Sequence, residues 1–167
     1  MGFSTLSIAC GSGWWEIKSL FEHPVDKLYL LDKNPEVLNW PDVQEAIAYF
    51  EKAYQKPFPA KIELFIQEAK NISLPNHSIQ EIWLFNSLHE IHEKEICLKE
   101  CYRLLEPGGI IFIEEELSLT DRRHHEGCYL PLFFLDELTQ LMKASGFQFL
   151  SSEQKDDKAF YVRYSKP

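Results

Sequence analysis

With 167 residues and 45% apolar side chains, this chain can bury one core, and no break in composition divides it into two. Acids outnumber bases 26 to 17, for a formal charge of −9. Binding a nucleic-acid backbone needs clustered lysine and arginine, so that class of partner is not expected. No apolar run approaches a membrane span, and the first residues lack the charged-then-apolar layout of a leader, so a cytoplasmic protein without membrane attachment is expected.

Strand-like runs near 4–9, 27–32, 61–66, 80–86 and 109–116 alternate with helical periods near 13–22, 41–56, 91–105 and 135–145. That alternation predicts a parallel sheet covered on both faces. The second helix opens at Pro41 and sets Val43, Ile47, Phe50 and Tyr54 at helical spacing, with Pro57 and Pro59 read as its stop. The third aligns Cys97, Cys101, Leu104 and Leu105 on one face ahead of a turn at Pro107-Gly108-Gly109. Gly146 supplies a left-handed stop for the last helix. Beyond it, Phe147 to Leu150 and Ala159 to Tyr164 flank a polar turn and read as a hairpin. Residues 117–134 form the longest stretch without a period, and such loops often carry function.

The most informative segment is Leu6-Ser7-Ile8-Ala9-Cys10-Gly11-Ser12-Gly13, followed 19 residues after Gly13 by the acid of Leu30-Leu31-Asp32. A strand feeding a small-residue loop and helix, then a second strand ending in a carboxylate, is the layout of a nucleoside-cofactor pocket. Asp32 can accept hydrogen bonds from two ribose hydroxyls. In a dinucleotide fingerprint counted from Gly11, a third glycine would stand at position 16, where this chain has Glu16. A carboxylate there opposes a pyrophosphate but suits a ligand carrying a sulfonium and an ammonium group.

Further along stand Glu68-Ala69-Lys70-Asn71-Ile72-Ser73-Leu74-Pro75, Ile82-Trp83-Leu84-Phe85-Asn86-Ser87-Leu88-His89, Leu104-Leu105-Glu106-Pro107-Gly108-Gly109 and Ala144-Ser145-Gly146-Phe147. In order and spacing, these motifs together with the glycine loop and Asp32 resemble the class I S-adenosylmethionine-dependent methyltransferases, in particular the small type 11 methyltransferase domains. The resemblance runs from Leu6 almost to the C-terminus. It implies an α/β, Rossmann-like, doubly wound sheet of seven strands in the order 3-2-1-4-5-7-6, the last strand antiparallel, with residues 1–167 as one domain. The implied cofactor is S-adenosylmethionine. Its implied binding set is Ala9, Cys10, Gly11, Gly13, Asp32, Lys33, Glu68, Ala69 and Asn86. Gly11 and Gly13 would lie by the methionine moiety, Asp32 on the ribose, and Glu68-Ala69 at the adenine edge.

Ala9 stands where the family usually has the first loop glycine, and Ser7 where a strand aspartate is frequent. Only about five residues precede the first strand, where family members carry one or two helices that roof the cofactor. The expectation is a domain without those cap helices, closed instead by Trp14 and Trp15, by the 117–134 segment, or by a second subunit in a homodimer.

Methyl transfer from a sulfonium is an in-line displacement that asks for alignment, exclusion of water and sometimes a base. His89, just beyond the fourth strand, is the candidate base because imidazole titrates near neutral pH. Asn86 is not followed by the Pro-Pro-aromatic run of amino-group methyltransferases. No metal site is expected. Cysteines 10, 97, 101 and 128 lack paired ligand spacing, and His89 and His92, among Glu90 and Glu93, read as a polar helix start. Asp121-Arg122-Arg123-His124-His125 is either a solvated loop or a seat for one anionic group, and Tyr129 is a further residue of that loop that could touch a substrate.

The resulting reading is a methyltransferase acting on a small-molecule acceptor. Two other functions fit parts of the pattern: a non-catalytic binder of S-adenosylmethionine or S-adenosylhomocysteine acting as sensor or partner subunit, and an NAD-dependent oxidoreductase.

Overall fold

The computed structural model describes residues 2–167. Seven strands, β1 (Ser4–Ile8), β2 (Lys27–Asp32), β3 (Lys61–Ile66), β4 (Ile79–Phe85), β5 (Leu105–Glu116), β6 (Gln148–Gln154) and β7 (Ala159–Ser165), form one sheet in the order β3-β2-β1-β4-β5-β7-β6. The first five pair in parallel, and β7 runs antiparallel to both of its neighbours. This is the Rossmann-like methyltransferase topology expected from the sequence.

Parallel neighbours need crossovers, and the helices α1 (Trp14–Glu22), α2 (Trp40–Tyr54), α3 (Lys94–Leu104) and α4 (Leu135–Ala144) supply cover on both faces. On one face Ile17, Leu20, Val43 and Phe50 pack with Leu28, Leu30 and Trp83. On the other, Cys97, Leu98, Cys101, Leu104, Leu138 and Met142 pack with Leu6, Ile8, Ile82, Leu84, Ile111 and Ile113. The two helix cysteines are therefore core residues. Burial of each such aliphatic side chain is worth roughly 1.5–3 kcal/mol before the entropy of ordering it.

Two of the boundary differences from the sequence reading have a backbone cause. α2 stops at Tyr54, before either proline, because Gln55 turns left-handed at φ 53° and its N–H returns to Glu51. The Pro107-Gly108-Gly109 segment is a bulge inside β5 rather than a turn ahead of it. Leu105 already pairs with Ile79, and the register then jumps to Glu81 and Ile110. Gly108 N donates to Lys166 O and Lys166 N donates to Gly109 O, so the bulge is tied to the end of β7. Lys166 is buried, with Nζ donating to Tyr102 O and Leu105 O at 2.6 and 2.8 Å.

Strand order reverses between β1 and β4, so the loops leaving their carboxyl ends diverge and open a crevice. The glycine loop follows β1, and Asn86 to His89 follow β4.

Candidate active site

Two of the loop residues at this crevice hold left-handed backbone without being glycine: Ala9 at φ 54° and Asn86 at φ 49°. Such conformations cost of order 1–3 kcal/mol and collect where function demands a particular chain path. Gly11, at φ +57°, would place a Cβ near Val37 Cγ1 alone, at 3.7 Å. Its open face is the cradle of the loop. Gly13 has a different reason: an added Cβ would meet Leu30 Cδ1 at 2.6 Å, so glycine lets the start of α1 press onto β2.

Asp32 pins this loop. Its Oδ2 accepts from Gly11 N at 3.0 Å and its Oδ1 from Asn34 N at 2.9 Å, leaving each oxygen a lone pair for a further donor. Ala9, Gly11, Asp32, Lys33, Glu68 and Ala69 come together along a cleft of about 600 Å³, joined by Asn34, Val37, Glu90 and His92. Cys10, Gly13 and Asn86 are not among its lining. Cys10 Sγ turns to Gly11 O at 3.6 Å, and burial pushes its thiol well above the usual range.

The carboxylate that Ser7 lacks is supplied by α1. Glu16, only 2% exposed, accepts from Ser7 Oγ at 2.8 Å. Burial pushes its carboxyl up to about 7 against the pull of that hydrogen bond, with Glu114 and Asp32 adding like charge. Its expected position facing a ligand at the first turn is thus corrected: the side chain turns inward with Ile17 and Leu20. Position 16 shares a helical face with both, which is the signal in the sequence for it.

His89 lies in a single 3₁₀ turn, Leu88–Glu90, and its side chain is wholly buried. Nδ1 stands 2.7 Å from Glu115 Oε2, and His89 N donates to Glu115 Oε1 at 3.2 Å. Burial works against the imidazolium, but the hydrogen bond and charge of Glu115 more than offset it, so the ring's pKa lies above its ordinary value. Nε2 is buried without a partner. The sequence reading missed Glu115. In Glu114-Glu115-Glu116 on a strand, the middle acid must point to the face opposite its neighbours, and here that face is covered. His89 lines a second cavity of about 500 Å³ with Lys94, Arg122, Phe133 and Glu137. Glu90 and His92 border both spaces.

The 117–134 segment sits over this end of β4. Its ends are tied by Ser118 N donating to Phe133 O at 2.8 Å and Leu132 N donating to Arg123 O at 2.9 Å. The His125 ring lies 4.8 Å from the His89 ring. The basic island proves self-satisfied: Arg122 is clasped by Glu137 and lies over Phe134, and Arg123 pairs with Glu116. Trp14 is no lid, because it packs 5.1 and 4.9 Å from Tyr49 and Phe50 between α1 and α2. Trp15 is 63% exposed. It borders a separate groove of about 660 Å³ that runs past Asn86 to Tyr161.

Residues 6–113, roughly two thirds of the chain, match the family model described as a methyltransferase domain. The chain belongs to this methyltransferase family. No curated protein sequence matches it. Among solved structures, a SAM-dependent methyltransferase from Aquifex aeolicus aligns over 99% of this chain and 82% of its own, with a TM-score of 0.74 at 17% identity. The [4+2]-cyclase SpnF aligns over 99% and 76%, with a TM-score of 0.73 at 15% identity. A chain from a complex of the Haloferax volcanii Trm112 methyltransferase activator aligns over 99% and 83%, with a TM-score of 0.70 at 14% identity. At these identities the likeness is one of fold. No helix among the described residues of this methyltransferase domain is long and apolar enough to cross a membrane.

Proposed function

We propose that this methyltransferase domain transfers a methyl group from S-adenosylmethionine to a small-molecule acceptor. The observation that carries the reading is the cleft itself, which residues at the ends of β1, β2 and β3 line together, Asp32 among them. Gly11 offers open backbone, Asp32 offers carboxylate lone pairs, and the half-buried Ala69 a flat apolar contact, which together fit an amino-acid, ribose and purine sequence. When bound, the cofactor supplies an electrophilic methyl on a sulfonium. Within the domain, Ala9, Gly11 and Asp32 orient the donor, and the 117–134 segment excludes water from the acceptor side. His89 takes the acceptor's proton at Nε2, with Glu115 holding the ring and stabilising the imidazolium. The acceptor occupies the His89 cavity, which adjoins the cleft through Glu90 and His92.

The fold is shared with a cyclase, so donor binding and turnover need separate tests. S-adenosylhomocysteine at about 100 times its dissociation constant should stabilise the domain by roughly 2.7 kcal/mol in thermal shift, and NAD should not. A small-molecule screen with detection of S-adenosylhomocysteine then tests turnover. Donor binding with no turnover across acceptor classes would favour a non-catalytic binder, and a shift with NAD alone would overturn the assignment.

A further inference from the structure

His89, Glu90, His125 and Cys128 each offer one ligand atom, and these four atoms all lie within 4.8 Å of one another. Two of the four come from the 3₁₀ turn after β4 and two from the 117–134 segment, 36 residues further along. His89 Nε2 is buried without a hydrogen-bond partner, Glu90 Oε1 is 3.8 Å from it, and the His125 ring lies 4.8 Å from the His89 ring. Buried polar atoms are nearly always paired, so an orphan lone pair among three other donors calls for a ligand.

The surrounding hydrogen bonds set both rings for metal. In the neutral ring, Glu115 accepts from His89 Nδ1–H, which leaves Nε2 as the lone pair open to a cation. His125 Nε2 lies 3.1 Å from the Asn86 side-chain amide, whose buried oxygen has no partner. Cys128 N donates to His125 Nδ1, which requires that nitrogen to be unprotonated, and turning the Asn86 amide over lets its Oδ1 accept from His125 Nε2–H in that tautomer. His125 Nδ1 also lies 3.3 Å from Cys128 Sγ.

We propose that His89 Nε2, His125 Nδ1 and Cys128 Sγ bind a zinc-type divalent cation, with Glu90 at the fourth, exchangeable position. Two imidazoles and a thiolate form a borderline-soft set suited to zinc rather than to magnesium or calcium. Around a tetrahedral zinc ion, such atoms stand roughly 3.3–3.8 Å apart, so the donors need only close inward by about 1 Å. The fourth position opens on the cavity assigned above to the acceptor, where an acceptor thiol or hydroxyl could replace Glu90 and lose its proton to solvent on binding. That consequence rests on the methyl-transfer reading; the cation site does not. With the ion in place, the His89 lone pair is committed to it and no longer serves as a base.

The test is a titration of the metal-free protein with cobalt(II), followed by zinc displacement. The expected result is one cobalt per chain, with the visible bands of a tetrahedral site and a thiolate-to-cobalt charge-transfer band. Zinc should bleach both and raise the melting temperature. Cys128→Ser should abolish the charge-transfer band, and Cys10→Ser should leave it intact. His125→Gln, on the same half-buried loop, should weaken binding by more than the about 10–100-fold typical of losing an outer-shell partner. Absence of the charge-transfer band, its survival in Cys128→Ser, or unchanged affinity in His125→Gln overturns the site. Calorimetry with S-adenosylhomocysteine on the metal-free protein reports on the cofactor cleft alone, so failure of one reading is distinguishable from failure of the other.

Discussion

Glu16 makes the stability of this domain fall as pH rises through neutrality. Its carboxyl titrates at about 7 in the folded protein against 4.5 when solvated, so between those values the folded state holds a proton that the unfolded state has released. Stability then decreases with pH, by about 1.4 kcal/mol per unit over that window, and levels off above it. The full penalty is about 3 kcal/mol, of which about 2.5 kcal/mol falls between roughly pH 5 and 9. Glu16→Gln keeps the shape and the acceptor for Ser7 Oγ but cannot ionise. Groups remote from position 16 titrate equally in both proteins, so the difference between them reports Glu16 together with the Asp32, Glu114 and Cys10 groups coupled to it. Urea denaturation at intervals across that range should show the variant gaining on the parent by about 2.5 kcal/mol, with the steepest change below pH 7. Parallel curves for the two proteins would refute the reasoning, because they would mean that Glu16 is solvated or paired with a cation in solution.

Asp32→Ala should weaken S-adenosylhomocysteine binding by about 1.5–3 kcal/mol in calorimetry, through lost charge-assisted hydrogen bonds, while the fold survives; unchanged affinity would place the ribose elsewhere. Ala9→Gly relieves a left-handed alanine and should stabilise the protein by about 1 kcal/mol in denaturant melts, net of added chain entropy. Arg103→Lys should destabilise by about 2 kcal/mol, since guanidinium nitrogens reach Ile72 O, Leu74 O, Asn76 Oδ1 and Glu100 together, which one ammonium cannot do; a loss below about 0.5 kcal/mol would show that water replaces those contacts.

The sheet was legible in the sequence because most of its strands alternate with helices of clear period and the last two flank a polar turn, and the order then follows from the family resemblance. The candidate cleft was legible because a glycine loop and a carboxylate at the next strand end are local signals. What escaped were contacts made by side chains far apart in sequence. His125 and Cys128 stand three apart, a ligand-like spacing, but they lie on an aperiodic segment and their partner His89 is 36 residues away. Gly13 illustrates a subtler limit: its sequence context suggests ligand approach, while Leu30, across the packed face of α1, is what forbids a side chain there.

Lys166 has a consequence for how the molecule opens. Its Nζ grips two carbonyls around the end of α3, while its backbone hydrogen-bonds to both glycines of the β5 bulge. β7 lies between β5 and β6, so its release also breaks two antiparallel ladders. Releasing β7 strips partners from the end of α3 and from β5 at once, leaving buried carbonyls bare. These three segments therefore form one cooperative unit, and their amide protons should exchange together in a single concerted event rather than from the tip inward.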